Sequence, residues 1–224
     1  SWGWGNPQGP VIKLQDPSNN AWTTGLTSAF NAPERSALYS ACFNIADLDR
    51  PIMTFSSFTH LGTGDGVVVE YSTDNLNVAD EDKVWITLGS INQGLSTGVF
   101  WYNGVSLPTK PGKDETGYGW TGKDTQWRES KHSLANIPAA DRDKVTFRFT
   151  IASAASEAGL DGFAVDNVRI GNGTRTVLIE NFTNTASTDP NMKIVGDSVK
   201  GFVNSSTAGL ELVKINYHVG FPGS

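Results

Sequence analysis

Short apolar runs separated by turn residues recur along the first three quarters of the chain. They cover residues 11–14, 36–43, 51–58, 67–72, 83–88, 99–102, 130–134, 144–151 and 162–170. Several alternate with period two. In Val145-Thr146-Phe147-Arg148-Phe149-Thr150-Ile151 the odd positions are apolar and the even ones polar, which predicts a strand with one buried and one wet face. Val67, Val69 and Tyr71 share one face of a shorter segment in the same way. No window of this region carries a convincing 3.6-residue period. Many short strands with Gly-rich turns predict a mostly β chain, an antiparallel sandwich or jelly roll.

Two stretches break this pattern. Residues 94–122 mix Gly, Pro, Lys, Asp, Tyr and Trp with little periodicity, as a functional loop or an excursion at one end of a sandwich does. After the turn-rich Gly171-Asn172-Gly173-Thr174 the grammar changes again, and a linker over 172–175 divides a sandwich over 1–171 from a segment over 176–224. Residues 176–182 read as a strand. Asp189 can cap a helix that has Pro190 in its first turn, with Met192, Val195, Val199, Phe202 and Val203 as the apolar stripe. Residues 210–217 form a further strand. The expected tail is therefore a short C-terminal β-α-β segment, too small to supply its own core and in need of further chain or a partner to complete its sheet.

Composition narrows the function classes. The chain has 224 residues, a formal charge of −6 and one Cys, and charged residues make up 18%. A single Cys excludes a disulfide framework and a Cys₄ zinc site. The acidic balance without a Lys/Arg cluster argues against nucleic acid, because neutralising phosphates takes concentrated positive charge. No apolar run approaches about 18 residues, so no membrane-spanning helix is expected. Residues 1–172 hold 19 acids against 13 Lys/Arg, and residues 173–224 hold four of each, so the whole excess lies in the expected sandwich. No leader-like segment opens the chain, and its abrupt start and unfinished tail read as a mature piece of a larger protein.

The run Leu160-Asp161-Gly162-Phe163-Ala164-Val165-Asp166-Asn167-Val168-Arg169-Ile170 resembles the closing strand of MAM-like jelly-roll modules, including adhesin-type modules of bacterial secreted surface proteins. Ala21-Trp22-Thr23-Thr24, Pro51-Ile52-Met53-Thr54-Phe55, Val69-Glu70-Tyr71-Ser72-Thr73-Asp74 and Trp85-Ile86-Thr87-Leu88-Gly89 resemble earlier pieces of the same modules in the same order. The resemblance covers roughly residues 1–171 and implies an antiparallel jelly-roll β-sandwich, secreted or at the cell surface, with a non-catalytic role in adhesion, recognition or support. Animal MAM domains carry disulfides that this chain cannot form. Val177-Leu178-Ile179-Glu180-Asn181-Phe182-Thr183 resembles the first strand of a thioredoxin-like domain of outer-membrane-associated bacterial proteins. The redox turn has no Cys here, so thiol–disulfide exchange is excluded.

Candidate chemistry is sparse. Asp161 and Asp166, with Asp65 and Asp16 from adjacent turns, are the candidate ligands of a structural Ca²⁺; the bland reading makes Asp161 a turn and Asp166 a backbone acceptor. Asp80-Glu81-Asp82 reads as a solvated hairpin tip. Trp101, Tyr102, Tyr118, Trp120 and Trp127 lie in or beside the long loop and could form an aromatic platform for a glycan, or anchor the loop onto the sandwich. His60, His132 and His218 are scattered, Cys42 falls on an expected strand, and no nucleophile elbow or phosphate loop occurs, so no enzyme is expected. The expected partner is a protein or glycan on a surface. Two rival roles are a glycan-binding accessory module of a secreted hydrolase or protease, and a secreted passenger captured with a transport machine.

Overall fold

The computed structural model describes residues 2–91, 98–154 and 159–171, together with the backbones of three later strands, 176–180, 192–195 and 198–201. The described chain is mostly β, in two sheets. Strands β1 (Gly3–Gly5), β2 (Ala21–Thr23), β4 (Ile52–His60), β7 (Gly98–Val99), β8 (Arg128–Ser133) and β10 (Gly162–Gly171) form sheet one, in the order β1-β2-β10-β4-β8-β7. Strands β3 (Glu34–Phe43), β5 (Gly66–Ser72), β6 (Ile86–Thr87), β9 (Val145–Ser153), β12 (Met192–Val195) and β13 (Ser198–Gly201) form sheet two, in the order β12-β13-β3-β9-β5-β6. Strand β11 (Thr176–Glu180) adds to sheet one along the C-terminal half of β10, while β2 pairs with Ala164 and Val165. All of these pairings are antiparallel except that of β13 with β3.

The alternation in the sequence explains the core. Val145, Phe147, Phe149 and Ile151 of β9 face sheet one and are buried with Met53 and Phe55 of β4 and Phe163 and Val165 of β10. The ring of Phe55 stands edge-on to Phe149 at 4.9 Å and to Trp120 at 5.5 Å, the offset geometry that aromatic quadrupoles favour. Fully burying one such side chain is worth about 1.5–3 kcal/mol.

The polar positions of β9 are not wet, contrary to the simple reading of their period. Thr146, Arg148 and Thr150 are buried as well. Two loops cover this outer face of sheet two. Trp85 lies with its ring 4.0 Å from the Arg148 guanidinium, and the backbone N–H of Lys113 reaches Glu70 Oε1 at 2.6 Å. Beneath them Arg148 Nε pairs with Glu70 Oε2 at 2.7 Å, and Thr150 Oγ1 donates to the same oxygen at 2.6 Å. A polar alternation therefore marks a buried ion pair here.

The irregular stretch is stapled down along its described part. Gly104 and Gly119 pair backbone to backbone, and Trp120 pairs with Val67 on the edge of β5. Next along that edge, Tyr102 Oη accepts from Val69 N–H at 3.0 Å and donates to Val69 C=O at 3.1 Å. Burial pushes this phenol well above its ordinary pKa.

Other expectations change. Residues 11–14 form no strand, and 83–88 and 99–102 shorten to the two-residue β6 and β7. In place of the helix expected from Pro190 stand two antiparallel strands, with Met192 opposite Gly201 and Val195 opposite Ser198. β13 lies against Leu38 and Tyr39 of β3, so the tail strands that are described join the sandwich's own sheets. The linker 172–175, the strand expected over 210–217, and Phe202 and Val203 lie outside the described residues. Among the described residues no helix is long and apolar enough to cross a membrane.

Candidate functional site

A polar pocket of about 330 Å³ opens on the outer face of sheet one. The irregular segment before β2 supplies Gln15, Asp16 and Asn19, β4 supplies Thr54 and Ser56, β8 supplies Glu129, and β10 supplies Asp166, Asn167 and Arg169. A β-bulge builds its floor. Asp166 pairs with Ser56 and Arg169 with Thr54, so Asn167 and Val168 together stand opposite Phe55. Asn167 sits at φ 54°, the left-handed region that Asn tolerates better than most residues. The extra residue re-aims its neighbours, as bulges beside functional sites do.

Asp166 is almost fully buried. Its Oδ1 accepts the Asn167 N–H at 2.7 Å, and its Oδ2 accepts Asn19 Nδ2 at 3.1 Å. Burial, reinforced by the charge of Asp16, pushes its pKa up to about 7 against the opposing Asn167 bond. Asp16 is exposed and bent into a turn. Its Oδ1 accepts from the Ser18 hydroxyl and backbone N–H at 2.7 and 2.9 Å, bonds that hold its pKa below the usual carboxylate value. Asn19 is 9% exposed, and its Oδ1 is buried with no hydrogen-bond partner. The buried carboxyl of Asp166, the orphaned amide oxygen of Asn19 and the carboxylate of Asp16 are oxygen donors of the kind a hard cation such as Ca²⁺ takes, in a pocket that Arg169 also lines. No three His, Cys, Asp or Glu side chains among the described residues stand close enough to share an ion, so these two carboxylates would need neutral oxygens and water to complete a shell.

The four Asp residues expected at one metal divide. Asp16 and Asp166 meet in this pocket. Asp161 lies five residues from Asp166 along the chain, roughly 16 Å at the strand rise. Its Oδ2 accepts the backbone N–H groups of Val11 and Ile12, both at 2.7 Å, and its backbone N–H donates to His60 Nδ1 at 3.0 Å. A Cβ on Gly9 would stand 2.4 Å from that carboxyl, so Gly is required at position 9 for the segment to close over it. Gly162 follows at φ 90°, where a Cβ would lie 2.0 Å from Thr24 Oγ1. The Asp-Gly pair thus anchors the N-terminal segment and starts β10. Asp65 accepts the Ala154 N–H at 2.9 Å through Oδ1, and its Oδ2 is buried without a partner.

The aromatic residues expected as an open platform are mostly core. Trp101, Tyr102 and Trp120 are buried within 5.3 Å of one another by ring centroids, and the indoles donate to the carbonyls of Leu88 and Phe100. Tyr118 is half-buried against the same core. Trp127 is half-buried on Phe58, with its indole on the Lys13 carbonyl at 2.7 Å. In this arrangement they anchor the loop, and Trp101, Tyr102 and Trp120 offer no open face. Sequence reasoning missed Asn19, Glu129 and the bulge residue Asn167. Asp16-Pro17-Ser18-Asn19 does carry a turn signature that points to the first of them. His60 and His132 are buried and apart from this pocket, and Cys42 is a buried free thiol whose pKa burial raises. Asp80 of the expected hairpin tip is not merely solvated: Lys83 Nζ donates to it at 2.9 Å.

No protein-family model matches the chain, and no curated protein matches it.

Proposed function

We propose that this chain is a non-catalytic recognition or adhesion module of a larger secreted or surface protein, held rigid by Ca²⁺ in the Asp16–Asn19–Asp166 pocket. The observation that carries this reading is the buried, unpartnered Asn19 Oδ1 beside the buried carboxyl of Asp166. A cation there would tie the segment before β2 to the bulge of β10 and satisfy both. Two carboxylates predict weak affinity, on the order of 10⁻⁴–10⁻³ M, the range of extracellular Ca²⁺ modules. Such an affinity is in keeping with a surface setting. The order β2-β10-β4-β8 facing β3-β9-β5-β6 supports a jelly roll, since it interleaves two Greek keys. The target is a protein or a glycan.

The test is calcium-dependent melting. Ca²⁺ at about 100 times its Kd stabilises the native state by about 2.7 kcal/mol, which raises Tm by roughly 5–10 °C for a chain of this size. Mg²⁺, smaller and stricter in geometry, is expected to give little of this. Asp166→Asn abolishes the Ca²⁺ shift if the pocket holds the ion. An undiminished shift in that variant would refute the placement.

A further inference from the structure

Phe100 is the exposed aromatic of the long loop, 57% open to solvent, while its neighbours Trp101 and Tyr102 are buried. It also sits at φ 44°, a backbone region that costs a bulky residue strain and costs Gly none. The local cause is its carbonyl, which turns inward to accept Trp120 Nε1 at 3.0 Å and Ser130 Oγ at 2.9 Å. That demand explains the backbone conformation. Those two bonds do not require a phenyl ring, because Gly would satisfy them without strain or exposed apolar surface; the ring's own contact is with Arg128. Strain kept in an over-determined setting points to function.

The surroundings of the ring are polar. The Arg128 guanidinium lies over one face of the ring, 5.4 Å from its centroid, and its Nε donates to Asp124 Oδ1 at 2.8 Å. Asp124 is itself fixed, with its backbone N–H on the Thr59 carbonyl at 2.7 Å. With the guanidinium over one face, the other face of this exposed ring suits a pyranose ring, with a planar donor and a carboxylate beyond its edge. The partially positive axial C–H bonds of the sugar meet the negative ring face, and its hydroxyls find a donor and an acceptor at the edge. A protein partner needs about 800 Å² on each side, far more than one phenyl ring provides.

We propose that Phe100, flanked by Arg128 and Asp124, is the platform on which this module binds a pyranose unit of a neutral glycan. The proposal rests on the recognition reading above and names its target class. The full chain in calcium buffer is titrated with cellotetraose, xylotetraose, mannotetraose and chitotetraose, following the Arg128 Nε–H and Phe100 amide signals by NMR. At least one sugar is expected to move both signals. Phe100→Gly is expected to weaken that binding about tenfold or more, about 1.4 kcal/mol, while its melting temperature stays equal or rises. Phe100→Trp, with its larger face, is expected to retain binding. If none of the four sugars moves the signals, the proposal falls and recognition of a protein remains. If Phe100→Gly binds as tightly as the native chain, glycan recognition stands but lies elsewhere. A lower melting temperature for Phe100→Gly would also overturn the proposal, by making Phe100 a structural residue.

Discussion

Asp166 shows how one side chain couples a site to solution conditions. Its pKa of about 7 in the native state exceeds the unfolded carboxylate value near 3.8, because burial and Asp16 disfavour its charged form. The native state therefore binds the extra proton between those limits, and stability falls as pH rises from about 4 to 7. Without calcium, the urea midpoint is expected to drop across that window, and Asp166→Asn is expected to flatten the slope. Saturating calcium flattens it too, by favouring the carboxylate. Glu70 is the opposite case, a buried acid with partners on both oxygens. Glu70→Ala strands the buried Arg148 and is expected to cost about 3–5 kcal/mol in chemical denaturation. Neither role was legible from residue type. Asp161 and Asp166 read as ligands of one ion, or as a turn and a backbone acceptor, and Glu70 looked like a solvent position, because what covers a strand face is decided by distant loops; Asp166 does accept the Asn167 N–H.

At the scale of elements, the long alternating strands were legible and the rest less so. The segments 36–43, 51–58, 67–72, 144–151 and 162–170 correspond to β3, β4, β5, β9 and β10 with ends shifted by at most two residues. The bulge in β10 was not legible, since a bulge is a relation between two strands and not a property of one. Asn167→Val places a β-branched residue at φ 54° and is expected to lower stability by about 1–3 kcal/mol and to weaken calcium binding, both measurable in one thermal series. The tail shows a different failure. Met192, Val195 and Val199 satisfy helical spacing, yet they also fit two antiparallel four-residue strands. Pairing with the edge of β3 decides between them, and no local pattern contains that information.

For the whole molecule, the two sheets share one aromatic core in which Phe55 touches Trp101, Trp120 and Phe149. Phe55→Ala is expected to cost about 3–5 kcal/mol, read as a lowered urea midpoint. β9 and β10 each lie between other strands, so their amides are expected to exchange slowest with solvent. The candidate Ca²⁺ pocket and the Phe100 surface both depend on this framework, one through the bulge of β10 and one through the carbonyl held by Trp120 and Ser130. The phenol of Tyr102, bonded to both backbone groups of Val69, has a consequence for proteolysis. A protease needs a segment it can pull out of the fold, and irregular stretches with few internal partners are the usual entry. Here, lifting the chain around Tyr102 would leave the buried Val69 N–H unpaired, strip one of two donors from the Val69 C=O, and empty an aromatic pocket at the same moment. Cleavage at the buried Tyr102 or Trp120 is therefore expected to be slow, and limited chymotrypsin digestion is expected to spare both sites in the native chain.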